Sequence, residues 1–267
     1  MYRIEIGLLQ LLNVKVFVQY QGSDARQMDY CRNNFQVMLP AHQKIYTSVD
    51  RLKDENKREK IKQFDKLAQN IYSLNPDLMH VLPARTKFLP YCHIDLDIWK
   101  SSPCNISEFK GVLKVGHAPS NRDIKGTDQI IKVMQELKST HGTRFEFQLI
   151  EDVPYNKVMQ VYRSIDILID QIYVGWYGGL AVEIMALEKP VLCYIREDDL
   201  KFVPQEMATE LPIIKTCPKN LKKNLVSVIE MPYEKVVELG RDSRKYVEKW
   251  HCPRKVVGRL IEEMNSC

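Results

Sequence analysis

Ile165-Asp-Ile-Leu-Ile-Asp-Gln-Ile-Tyr-Val-Gly-Trp-Tyr-Gly-Gly-Leu-Ala-Val-Glu-Ile-Met-Ala-Leu-Glu-Lys-Pro-Val-Leu-Cys193 is the stretch that decides the fold. It reads as a buried strand, a Gly-rich turn, a helix with one carboxylate, Glu183, in its first turns, and another buried strand. In an open α/β sheet such a turn puts backbone N–H groups and an acid at the carboxyl ends of the strands, where ligands bind.

Working outward, residues 111–217 alternate strand and helix. Strands are expected at Val112–Gly116, Phe145–Ile150, Ile167–Ile169, Pro190–Tyr194 and Ile213–Lys215, and helices at Thr127–Leu137, Tyr155–Ser164 and Gly179–Leu187. Strands separated by helices of that length imply a parallel, doubly wound sheet. From Asn220 onward the pattern is helical, interrupted at Pro232 and Pro253. Residues 93–110 break into a polar stretch around Pro103 and read as an interdomain linker.

Residues 1–92 have a different texture. They predict a short helix over residues 4–12, a strand Val14–Tyr20, a turn at Gly22-Ser23-Asp24 and a charged helix from Asp54 to Tyr72. In that helix Ile61, Phe64, Leu67, Ala68 and Ile71 recur at helical spacing. A short helix opened by Asn75-Pro76-Asp77 and a strand Lys87–Tyr91 complete the unit.

The 267 residues suffice for one large domain or two small ones with real cores. Apolar content of 45% and charged content of 27% are those of an ordinary globular protein, and the net charge of +5 is spread along the chain. Clusters such as Lys53–Lys62 and Lys219–Lys223 are solvated helix faces; a nucleic-acid footprint would need one basic face with stacking aromatics. No apolar run approaches the ~20 residues of a membrane span. Seven cysteines without a CxxC pair suggest reduced, cytoplasmic usage, with neither a disulfide frame nor a zinc site.

Four segments carry candidate chemistry. Gly178-Gly179 removes side chains at a helix N-terminus, so a pyrophosphate can approach; Glu183, one turn in, could accept hydrogen bonds from two ribose hydroxyls. Alternatively, Glu183 merely complements the helix dipole. The second segment, His117-Ala-Pro-Ser-Asn-Arg122-Asp-Ile-Lys125-Gly126-Thr127, puts two cations three apart in a loop after a strand, suited to a diphosphate leaving group or simply to solvent. Gly22-Ser23-Asp24 is a plain turn or one aimed at a shared cleft. Ile150-Glu-Asp-Val153-Pro-Tyr155 is a helix N-cap region or a wall for a nucleobase.

Together these residues resemble a glycosyltransferase of the GT-B type, with two Rossmann-like doubly wound domains, close to the large retaining family 4 (glycosyl transferases group 1). The run Ile165–Val191 aligns without a gap on that family's strand, turn and E-x7-E helix, and Gly116–Thr127 resembles its phosphate loop. Phe88–Asp97 resembles its crossing between domains. The resemblance implies domains at 1–92 (acceptor side, incomplete), a linker at 93–110 and a donor domain at 111–267 with C-terminal helices. It implies a metal-independent hexosyltransferase-like enzyme of glycan biosynthesis, without cofactor, that uses a nucleotide-diphosphate sugar.

By that resemblance His117, Arg122, Lys125, Val153, Gly178, Gly179 and Glu183 line the donor site, with Arg122 and Lys125 stabilising the departing diphosphate. Gly22, Ser23 and Asp24 face the acceptor, which is a glycan, lipid or small molecule. The family's first glutamate falls on Gly175, and the first domain is shorter than the family's. The alternative is therefore a non-catalytic nucleotide-sugar-binding or partner subunit, with a partner chain completing the first domain.

Overall fold

The computed structural model describes residues 9, 11, 12 and 14–265. The helix expected over residues 4–12 falls largely outside them. The order is β1 (Phe17–Tyr20), α1 (Met28–Asn34), α2 (Pro40–Gln43), α3 (Ser48–Leu67), β2 (Asn70–Ser73) and β3 (Lys87–Phe88), then β4 (Leu113–His117), α4 (Arg122–Lys125), α5 (Thr127–His141) and β5 (Phe145–Leu149). There follow α6 (Tyr155–Ser164), β6 (Ile167–Ile169), α7 (Gly179–Ala186), β7 (Val191–Cys193), α8 (Gln205–Thr209), β8 (Ile214–Lys215), α9 (Leu221–Ile229), α10 (Tyr233–Trp250) and α11 (Pro253–Asn265).

The strands form two parallel sheets, β1-β2-β3 and β5-β4-β6-β7-β8. In the second, β4 pairs with both β5 and β6, so the loops after β4, β5 and β6 open on one edge. Its inner strands β6 and β7 are sealed on both faces: Leu168, Ile169, Val191, Leu192 and Cys193, like Val115 of β4, have no exposed surface. The expected alternation of strand and helix is present throughout this unit, with boundaries moved by a few residues at most.

The first unit departs more from expectation. The charged helix starts earlier, at Ser48, because Thr47 and Asp50 form a capping box. It stops at Leu67 rather than Tyr72. There Arg85 donates to the carbonyls of Asp65, Ala68 and Gln69, satisfying acceptors that another helical turn would have used. Released from the helix, Ile71 enters β2, the central strand of the first sheet, and is fully buried. The helix opened by Pro76 is a 3-10 turn, Pro76–His80, and β1 and β3 are shorter than expected.

Residues 93–110 are not a solvated tether. Ile94, Trp99 and Cys104 are buried, and Arg244 Nη1 on α10 donates to the carbonyls of Trp99 and Ala186. The last helix crosses back to the first sheet. Val256 is buried with Tyr72, Leu74 and Leu89, while Glu263 accepts from Tyr72 Oη at 3.0 Å and Lys87 Nζ at 2.8 Å. Among the described residues no helix is long and apolar enough to cross a membrane.

A hydrogen-bonded relay under α7 ties the two units. Tyr246 donates to Tyr177 Oη (3.1 Å), Tyr177 donates to His251 Nε2 (2.9 Å), and His251 Nδ1–H donates to the Tyr91 carbonyl (2.7 Å). Burial pushes the His251 pKa down from 6.5 to about 4, so the ring is neutral in the native state. The unfolded chain takes up this proton more readily, so stability present above pH 6.5 is lost as pH falls from there to about 4. Urea denaturation at pH 7 and pH 4 should show wild type losing up to about 3 kcal/mol more than His251→Gln over that interval.

Candidate functional site

The loops after β4 and β5 and the start of α7 enclose a cleft of about 350 Å³ at the carboxyl edge of the second sheet. Ala118, Pro119 and Ser120 form one wall, Ile150 to Val153 another, and Lys125, Gly179 and Glu183 its charged end. Asn121 builds the first wall: its side chain accepts from Ile124 N at 3.0 Å and starts α4, which delivers Lys125 inward. Tyr162 on α6 lines the same cleft. Burial, with Glu183 and Asp170 nearby, pushes its hydroxyl up to about 12, so it remains a neutral donor.

Lys125 is nearly buried, with 9% of its side chain exposed. Its ammonium meets Asp170 Oδ1 at 2.5 Å, and Asp170 Oδ2 accepts from Gly178 N at 3.0 Å. Asp170 directly follows β6 and has no exposed surface. The carboxylate therefore neutralises the cation and fastens the turn preceding α7. A Cβ at Gly178 would lie 3.3 Å from Lys125 Nζ, so this glycine makes room for the pair.

The remaining expected residues divide. Gly179, Glu183, Val153 and Lys125 share the cleft. His117 does not: it has no exposed surface, donates from Nδ1 to the Ile169 carbonyl (2.8 Å) and accepts at Nε2 from Thr127 Oγ1 (2.9 Å). It couples β4, β6 and α5. Arg122 is also absent from the cleft wall, because Glu151 (2.9 Å) and Asp128 (3.0 Å) hold its guanidinium on the surface.

At the first sheet Asp24 folds onto its own turn, accepting from Gln21 N, Gly22 N and Ala25 N. That occupies the carboxylate expected to face the shared cleft; Ser23 remains exposed. The buried charge near this edge is instead Arg26, paired with Asp77 at 2.7 Å.

Gly175, where the resemblance puts an acid, has φ +86, in the left-handed region that favours glycine. A Cβ there would stand 2.9 Å from the guanidinium carbon of Arg196. Arg196 is itself locked: Asp199 Oδ2 at 2.7 Å, the Val37 carbonyl at 3.3 Å, and the Phe35 ring 3.5 Å beneath its guanidinium. Asp199 also meets His80 Nε2 at 2.8 Å. Segments of both units thus converge where an acidic side chain would need space.

Sequence reasoning missed Asp170, Tyr162, His93 and Arg196. Asp170 follows a strand directly, but its partner lies 45 residues away; nothing local marks the other three.

No protein-family profile and no curated protein sequence matches the chain. Solved structures do. A sucrose-phosphate synthase from Thermosynechococcus elongatus matches 97% of this chain and 70% of its own, with TM-score 0.62 and 13% identity. Anabaena HepE in complex with UDP matches 99% and 76%, with TM-score 0.65 and 13% identity. WaaG, a glycosyltransferase of lipopolysaccharide biosynthesis, matches 95% and 80%, with TM-score 0.55 and 12% identity.

Three variants test the geometry. Lys125→Met strands a buried carboxylate and should cost about 3–5 kcal/mol in urea denaturation, while Lys125→Met/Asp170→Asn should recover more than half of it. Gly175→Glu should destabilise by about 1–3 kcal/mol through backbone strain alone. The two parallel sheets, the crossing between them and these structural relatives together show that the chain has the two-domain GT-B fold.

Proposed function

We propose that the cleft holds the nucleoside diphosphate of a sugar donor and that the chain transfers the sugar, with retention, to an acceptor approaching from the first unit. The observation that carries this reading is the convergence, in a GT-B fold, of a buried lysine, a helix N-terminus and Glu183 on one cleft. In this reading the ribose hydroxyls hydrogen-bond to Glu183, and the base lies along the Val153 backbone. Lys125, already oriented by Asp170, and the first N–H groups of α7 stabilise charge on the departing diphosphate without a metal. Arg122, more exposed than Lys125 and paired with Glu151 on the cleft wall, is the second cation of this reading. Ser23 and the backbone of Gly22 and Asp24 face the acceptor.

HepE was crystallised with UDP and with UDP-glucose, so uridine diphosphate is the first nucleotide to try. Thermal denaturation with UDP, ADP and GDP should raise the midpoint for at least one of them. A ligand at about 100 times its Kd adds roughly 2.7 kcal/mol. Glu183→Ala should remove most of that protection while leaving the unliganded midpoint within a few degrees. If no nucleotide protects wild type, the donor-site reading fails.

A second reading has its own observation. Gly175 and the locked Arg196 supply no acid where the family carries its first glutamate, which favours a binding subunit that holds the nucleotide sugar without turning it over. Nucleotide protection without sugar transfer or donor hydrolysis would select it.

A further inference from the structure

His93 reaches the cleft from outside the second sheet. It belongs to the crossing between β3 and β4, yet its Nε2 lies 3.3 Å from Glu183 Oε1. Its ring also covers the first residue of α7: a Cβ at Gly179 would sit 3.1 Å from His93 Cε1 and 3.2 Å from Nε2. The absent side chain at Gly179 therefore makes room for this imidazole.

The backbone on either side of His93 is fixed. His251 holds the Tyr91 carbonyl, the Tyr91 hydroxyl donates to Asn75 Oδ1 at 3.1 Å, and Ile94 is buried. The imidazole itself has 41% of its side chain exposed, so one side of it faces solvent. Glu183 is 22% exposed, and one of its two oxygens is already engaged. A vicinal diol that takes both oxygens must first dislodge the ring.

We propose that His93 is an internal competitor for the ribose-binding carboxylate. It occupies Glu183 in the free protein, gives way to the hydroxyls of a bound ribonucleotide, and so sets how strongly the site discriminates ribose from deoxyribose. This inference rests on the donor-site reading of Glu183. A ligand without ribose hydroxyls gains nothing from Glu183 and leaves the His93–Glu183 contact in place. A ribonucleotide exchanges that contact for its own hydrogen bonds and loses part of the gain.

The test is calorimetric titration of wild type, His93→Ala and His93→Gln with UDP, ADP and GDP and with the 2′,3′-dideoxy counterpart of each. Removing the competitor should tighten the ribonucleotide about fivefold, the equivalent of one ordinary hydrogen bond, and leave the dideoxy analogue unchanged. His93→Gln, which retains an N–H donor for Glu183, should return the ratio toward wild type; that rescue separates competition from a general loosening of the crossing segment. Weaker ribonucleotide binding in His93→Ala, or equal changes for both analogues, would overturn the inference while the donor-site reading stands. Failure of wild type to bind any of the nucleotides would overturn both.

Discussion

The ion pair between Lys125 and Asp170 is the constraint on which the rest of the site depends. It joins the loop after β4 to the end of β6, and through Gly178 N it fixes the turn that starts α7. Both charges are removed from water, where either one alone is strongly unfavourable and the pair is tolerated only with good geometry and further hydrogen bonds. The amide of Gly178 supplies such a bond. The arrangement keeps the Lys125 ammonium at the charged end of the cleft, oriented by its partner carboxylate.

A second constraint acts between the units. Arg196, Asp199, His80 and the Phe35 ring form one packed network, with contributions from both units. Its position behind Gly175 gives the unusual residue a physical cause. The backbone there is left-handed, and the volume beside it is filled by a guanidinium that already has partners. A side chain at position 175 would therefore meet both a strained backbone and an occupied volume.

Much of the second sheet was legible in the sequence because its elements are local and strongly patterned. Ile167–Ile169 and Tyr155–Ser164 lie where continuous apolar character and helical spacing put them, and Glu183 falls in the first turns of its helix as read. The same logic failed at Ala68–Tyr72. Helical spacing continued there, but Arg85 closed the helix from a distance and a central strand position took Ile71. His117 and Arg122 lie at the end of β4 and just after it, where Ile169 and Thr127 hold the first and Glu151 and Asp128 the second; residue type and position do not say which partner saturates a side chain.

The sequence by itself determined the alternation of parallel strands and helices, the Gly-rich turn before α7, and the carboxylate and lysine that face one sheet edge. Those features depend on backbone preferences and periodic burial, which act over a few residues. Only the tertiary structure decided that Asp170 neutralises Lys125, that Arg196 fills the space at Gly175, that His93 lies on Glu183, and that α11 returns to the first sheet. Each of these joins groups far apart in the chain, and charge pairing and close packing select such partners only once the fold has brought them together.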